Sequence, residues 1–215
     1  MSETQFIKNE GRRIAYVKTE GAGPGVIFFG GFMSDMTGTK ATMLQDYCEQ
    51  RGQAFIRFDY SGHGQSSEAF EDGTIGEWAS DAIAVLDQVA EGPQVLVGSS
   101  MGGWIALLAA RARPERLAGF LGIAAAPDFT EDLMWEGFSD EVKAELKKNG
   151  VFYEDNPYED EPTPITMRLI EEGREHLVLR APLRLACPVR LLQGMQDEEV
   201  PWELALKLCD HIEGE

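Results

Sequence analysis

The chain has 215 residues and a formal net charge of −18, which suits one domain with a sizeable core and argues against nucleic acid or an anionic membrane as a partner. Cys48, Cys187 and Cys209 are scattered without CxxC or metal-ligand spacing and read as small hydrophobes of a reducing compartment. The opening Met1-Ser2-Glu3-Thr4-Gln5 has neither a basic nor an apolar leader segment, and no apolar run is long enough to span a bilayer; the expectation is a soluble cytoplasmic protein.

In chain order, Phe6 to Lys8 and Arg12 to Lys18 flank Asn9-Glu10-Gly11 as a hairpin. Val26-Ile27-Phe28-Phe29 is a buried strand ending at Gly30-Gly31. Thr39 to Arg51 reads as a helix with Leu44, Tyr47 and Cys48 on one face and Gly52 as its stop. Ala54 to Asp59 is the next strand, followed by the loop Gly62-His63-Gly64. Thr74 and Glu77 have capping-box spacing, and Trp78, Ala82, Val85, Leu86 and Val89 then recur at helical spacing. Gln94 to Val97 is a strand, Gly103 to Leu108 opens a helix that ends near Pro114, and Leu117 to Ala126 is a further strand. Strands alternating with crossover helices imply a mostly parallel sheet covered on both faces, an α/β fold.

Between Pro127 and Pro188 the alternation stops. Helices are expected over Ser139 to Lys148 and Ile165 to Glu175, separated by a Pro- and acid-rich segment from Asn156 to Pro164. The chain thus divides into a core, 1–126, an insertion folding over the sheet edge as a lid, 127–187, and a return to the core, 188–215. Residues 128–162 carry 12 Asp and Glu against 3 Lys. The plain reading is a solvated acidic face; the sharper one lines an acyl pocket with Trp135, Phe138, Phe152 and Tyr153 and sets Arg168, Arg174 or Arg180 nearby for an anionic group. Val189 to Leu192 is the last strand, and a helix after Pro201 sets Ala205, Leu208, Cys209 and Ile212 on one face.

Chemistry is concentrated at Gly98-Ser99-Ser100-Met101-Gly102. A Gly-x-Ser-x-Gly frame between a buried strand and a buried helix is a nucleophile elbow, with Ser100 in a strained turn and its hydroxyl at the carboxyl end of the sheet. Gly98 and Gly102 let the two elements approach. The Met101 N–H faces an oxyanion position, and the Phe32 N–H, from the loop after the first parallel strand, is its expected partner. Asp197, just past a late strand, has the position of a triad acid; Asp128 is the minor alternative, and Glu198 and Glu199 are weaker rivals.

These motifs, with Arg57-Phe58-Asp59-Tyr60-Ser61-Gly62 and Asp197 to Trp202, resemble the α/β-hydrolase superfamily. Gly-Ser-Ser-Met-Gly-Gly-Trp at 98–104, Gly31-Phe32-Met33-Ser34, Gly38 to Ala41 and Arg113-Pro114-Glu115 are similar, more narrowly, to its mitochondrial palmitoyl-protein thioesterase branch, which also cleaves acyl glucuronides, and to bacterial relatives. The resemblance implies an α/β-hydrolase fold and a serine hydrolase. Its substrate is a small ester or acyl thioester, or an acylated protein, cleaved through an acyl-serine at Ser100 with Asp197 as triad acid.

The histidine is the departure. Such proteins place it after a further strand beyond the Asp197 helix, and this sequence stops at His211-Ile212-Glu213-Gly214-Glu215. The expectation is a chain lacking the last strand and helix, with the strand after Cys187 left as an open edge and with little turnover. His63 reads as a turn residue, His176 as a helix-end residue and His211 as too close to Asp197 to serve as base. The competing reading is a non-catalytic member of the fold that binds a ligand or protein. A carboxylate-nucleophile enzyme of this fold is disfavoured by serine at the elbow. No dinucleotide motif, P-loop or metal-ligand cluster is present, so no cofactor or metal is implied.

Overall fold

The computed structural model describes residues 3–155 and 162–214. β1 (Gln5–Asn9) and β2 (Arg12–Thr19) form the amino-terminal hairpin, with Ile7 opposite Ile14. β3 (Ala22–Phe29), α1 (Thr39–Gln50), β4 (Gln53–Phe58), α2 (Ile75–Gln88), β5 (Gln94–Ser99), α3 (Met101–Ala112) and β6 (Leu117–Ile123) follow in alternation. The insertion contains a π-type helical segment at Thr130–Trp135, α4 (Asp140–Asn149), β7 (Val151–Glu154), β8 (Thr163–Thr166), α5 (Met167–Gly173) and β9 (Leu183–Arg184). β10 (Val189–Leu192), α6 (Trp202–His211) and β11 (Ile212–Glu213) complete the described chain.

The main sheet has the order β1-β2-β4-β3-β5-β6-β10, antiparallel across β1, β2 and β4 and parallel from β4 to β10. Its inner strands are apolar on both faces because both are covered. Ile27, Phe29 and Leu96 pack with α2 and α3, whereas Val26, Phe28 and Val97 pack with Ala41 and Cys48 of α1. β3 thus feeds a helix on one face and its neighbour β5 feeds a helix on the other. That divergence opens a crevice at the carboxyl ends of β3 and β5, where ligands bind in open α/β sheets. β10 pairs with β6 alone among the described strands, and Leu192 on it is exposed.

Local chemistry explains the element ends. The Thr74 hydroxyl accepts the Glu77 N–H at 3.3 Å at the start of α2, and Trp78, Ala82, Val85 and Leu86 form its buried face. Gly52, at φ +63°, ends the turn after α1 where an L side chain is strained. β6 stops at Ile123 rather than Ala126: Ala124 turns to φ +45° and donates to the Leu192 carbonyl, and the Ala126 N–H reaches the Ser100 carbonyl at 3.0 Å.

Three expectations about faces and elements are corrected. In α1 the buried positions are Ala41, Gln45 and Cys48, while Tyr47 is exposed and lies under the Arg51 guanidinium. In α6 Leu204 and Leu208 are buried and Cys209 is exposed. The insertion also holds a hairpin where no strand was expected: Phe152 pairs with Ile165 and Tyr153 with Pro164. Thr166 accepts the Leu169 N–H and starts α5 at Met167, leaving Ile165 in the strand. The part of the Pro- and acid-rich segment at 156–161 lies outside the described residues.

Candidate active site

Ser100 stands between β5 and α3 with φ +53° and ψ −122°, a conformation that costs a non-glycine residue about 1–3 kcal/mol and persists only under surrounding constraint. The constraint is visible. The Ser100 N–H donates to the Ile123 carbonyl at 3.0 Å, and its carbonyl accepts from Gly103 at 2.9 Å and Ala126 at 3.0 Å. A Cβ on Gly98 would lie 2.6 Å from Gly103 Cα, and one on Gly102 would overlap the Phe29 and Gly30 carbonyls. Both contacts are with backbone, which cannot swing aside. Ser99, the neighbouring hydroxyl, is buried, whereas Ser100 is half-buried and borders open space.

Two clefts meet at Ser100. The wider, about 930 Å³, is bordered by Gly31, Phe32, Lys40, Gln193, Asp197 and Val200, among others. The narrower, about 610 Å³, runs beneath the insertion, with apolar walls from Phe32, Phe129, Leu133, Met134 and Phe138. Phe32, Ser100, Glu199 and Val200 border both.

Ser100, Asp197 and Phe32 are therefore brought together, with Met101 directly behind the serine. Met101 opens α3, so its N–H has no intrahelical acceptor. The Phe32 N–H has no protein acceptor among the described residues. The Phe32 ring is fixed by edge contacts to Phe70, Trp78 and Phe129 at 5.0–6.0 Å between centroids. The Tyr60 hydroxyl donates to the Gly30 carbonyl at 3.4 Å just upstream. One Asp197 oxygen, Oδ1, accepts the Glu199 and Val200 N–H groups at 3.1 and 2.9 Å. Its Oδ2 has no partner among the described residues, which leaves it available to an imidazole N–H.

Asp128 has a different task. It is fully buried at φ +60°; its carboxylate accepts the Val178 N–H at 2.7 Å, the Leu179 N–H at 2.9 Å and Arg180 Nη1 at 3.2 Å. Burial pushes this carboxyl above its ordinary value, against the pull of those two N–H groups and of Arg180. It ties the end of the insertion to the core and borders neither cleft.

The three histidines also lie elsewhere. His63 is buried among Tyr60, Phe70 and Trp78, its Nδ1 3.1 Å from the Ser61 carbonyl, and burial lowers its pKa. His176 contacts Glu172 at 2.6 Å, and Glu172 in turn accepts the Gly76 N–H at the start of α2. His211 Nδ1 lies 3.0 Å from the Lys207 carbonyl in the last turn of α6. Among the described residues no histidine borders either cleft.

The expected acyl-pocket residues are redistributed. Phe138 lines the narrow cleft and Phe152 packs behind it at 6.0 Å. Trp135 instead lies beneath Lys143, Lys147 and Arg174, and Tyr153 is exposed with its hydroxyl donating to Glu71. The arginines are paired to carboxylates outside the cleft: Arg168 to Glu77, Arg174 to Glu131 and Arg180 to Asp132. The walls that sequence reasoning missed are Phe129, Leu133 and Met134; the i, i+4 spacing of Phe129 and Leu133 was the available signal.

The fold defines the class: the chain belongs to the α/β-hydrolase family, whose model described as "Serine aminopeptidase, S33" matches residues 25–167. Within it, the chain is 42% identical over 206 residues to "Palmitoyl-protein thioesterase ABHD10, mitochondrial" of Mus musculus, covering 95% of this chain and 69% of that protein. The protein of that name from Homo sapiens is 40% identical over 200 residues, covering 93% of this chain and 65% of its own length. The chain thus spans about 65% of the Homo sapiens and Pongo abelii relatives. Two solved structures are similar. One is alpha/beta hydrolase domain-containing protein 10 from mouse, with 40% identity, TM-score 0.90 and coverage of 99% of this chain and 86% of that one. The other is a putative hydrolase from Agrobacterium vitis S4, with 43% identity, TM-score 0.95 and coverage of 99% and 87%. The expectation of a cytoplasmic protein is corrected by these comparisons, because the similar curated relatives are named as mitochondrial; composition and cysteine spacing do not distinguish two reducing compartments.

Proposed function

We propose that the chain is a hydrolase of carboxylic esters or thioesters in which Ser100 accepts the acyl group. The carrying observation is the strained Ser100 at the junction of an apolar cleft and a wider one that Asp197 borders. The acyl group lies between Phe129, Leu133, Met134 and Phe138 with the leaving group in the wider cleft, and the substrate is a small acyl ester or thioester or an acylated protein. Ser100 Oγ attacks the carbonyl carbon, the Phe32 and Met101 N–H groups hold the oxyanion, and water later releases the acid. Asp197 Oδ2 has the position to orient an imidazole that takes the serine proton, a base that no histidine among the described residues brings to either cleft. The similarity to thioesterases over most of this chain supports the same chemistry.

With no histidine bordering either cleft among the described residues, these 215 residues turn over little; losing the triad histidine of another serine hydrolase costs about 10⁶ in kcat. That same feature favours the second reading, a member of the fold that binds its ligand without cleaving it. Chemical rescue separates the two. Imidazole fits the wider cleft, and adding it to the buffer accelerates release of thiol from a decanoyl thioester, in a manner lost in both Ser100→Ala and Asp197→Ala. An imidazole effect of equal size in wild type and Ser100→Ala contradicts the hydrolase reading.

A further inference from the structure

The loop after β10 is tied to Ser100 by a continuous run of hydrogen bonds. The Ser100 N–H donates to the Ile123 carbonyl at 3.0 Å, and the next residue, Ala124, donates to the Leu192 carbonyl at 2.8 Å. Gln193 follows, and its Nε2 donates to the Val200 carbonyl at 2.8 Å and to that of Gly194 at 3.5 Å. The Val200 N–H in turn donates to Asp197 Oδ1 at 2.9 Å. The bonds from the Asp197 N–H to the Gly194 carbonyl and from the Glu199 N–H to Asp197 Oδ1 lie inside the loop. Gln193 is thus the side chain that joins the end of β10 to the far end of the loop. Its second amide atom, Oε1, is buried without a partner among the described residues. An orphaned acceptor is a cost that an apolar side chain of the same length would avoid, so the donor is what the position keeps.

We propose that Gln193 is a positioning residue for Asp197, setting the direction of that carboxylate relative to Ser100. The inference rests on the reading of Ser100 and Asp197 as partners in acyl transfer. Asp197 Oδ1 accepts both loop N–H groups, which fixes the carboxylate relative to Val200. Two things fix Val200 itself. Its side chain is buried in the main core, and its carbonyl is held by Gln193. Burial keeps the valine in place; the hydrogen bond sets the direction of its backbone, and so the tilt of the carboxylate bound to it. An imidazole must meet Asp197 Oδ2 and Ser100 Oγ at once, so a change of tilt costs rate rather than fold.

Gln193→Met removes the donor at nearly constant length and removes the orphaned Oε1 with it, so the chain still folds. Gln193→Glu is the second variant: it keeps the shape but, ionised at neutral pH, offers the Val200 carbonyl no proton. Ser100 labelling of the whole chain by a fluorophosphonate is timed with and without imidazole, and the ratio of the two rates is the readout. Expected in both variants is a ratio about fivefold below that of wild type, the worth of one ordinary hydrogen bond. Adding Gln193→Met to Asp197→Ala lowers the ratio no further, because one acts through the other. A merely structural role slows labelling equally with and without imidazole and leaves the ratio where it was. That result, or a fall that adds in full to the fall in Asp197→Ala, overturns the proposal while the hydrolase reading stands. A wild-type chain that imidazole does not accelerate overturns the hydrolase reading and this inference together.

Discussion

Asp128→Ala tests whether that buried carboxylate anchors the insertion or serves Ser100. Its two oxygens satisfy the N–H groups of Val178 and Leu179, whose residues are 3% and 4% exposed. Alanine leaves both donors without a partner. An orphaned buried donor costs about 1–3 kcal/mol, so the pair costs about 2–6 kcal/mol. Arg180 keeps Asp132 and adds little. For a domain of this size 1 kcal/mol moves the melting temperature by about 2–4 °C, so the midpoint falls by about 4–24 °C. Asp128→Asn lies between, since one oxygen still accepts while the amide NH2 faces a donor. The assay is thermal unfolding followed by calorimetry, beside the rate of Ser100 labelling by a fluorophosphonate below the new midpoint. A variant that melts within about 2 °C of wild type while losing labelling would refute the anchoring role and return Asp128 to the chemistry.

Other outcomes follow from single contacts. Gly102→Ala places a Cβ against the Phe29 and Gly30 carbonyls; it lowers the urea midpoint and abolishes Ser100 labelling, and normal labelling would contradict the packed-elbow geometry. Phe138→Ala removes one wall of the narrow cleft and weakens decanol binding about tenfold by titration, while leaving Ser100 labelling by a small methyl-substituted probe unchanged. The His176 pKa is raised, chiefly by its hydrogen bond to Glu172. Burial works to raise the Glu172 pKa, but the bonds from His176 and Gly76 hold it below its ordinary value. The pair's stability is thus lost as pH rises from the ordinary 6.5 of histidine through the higher folded value, and as pH falls below 4.5 through the lower Glu172 value. Urea midpoints measured on both sides of this window fall more steeply in wild type than in His176→Ala; parallel pH profiles would show that the pair carries no linkage.

The glycine frames made the core of the site legible in the sequence. Gly98 and Gly102 bracket Ser100, and Gly30-Gly31 ends β3 before Phe32; such backbone requirements are local and leave a direct mark on residue type. The parallel core was legible for a related reason, since strands covered on both faces read as unbroken apolar runs. The insertion was not. The β7–β8 pair is only four residues on each side, too short for an alternating pattern to mark it. Asp128 accepts from an N–H donor fifty residues away, so nothing near it in sequence tells an anchor from a triad acid. Trp135 illustrates the same limit: it is aromatic and beside the cleft-lining Met134, yet it faces three cations outside.

The central claim is that Ser100 is the residue that becomes acylated. Intact-mass and peptide mapping after prolonged exposure of the chain to a fluorophosphonate tests it most directly. One slowly formed adduct is expected on the peptide containing Ser100, hastened by imidazole and absent in Ser100→Ala. An adduct on Ser99 or on any residue outside the two clefts, or no adduct even with imidazole present, would contradict it.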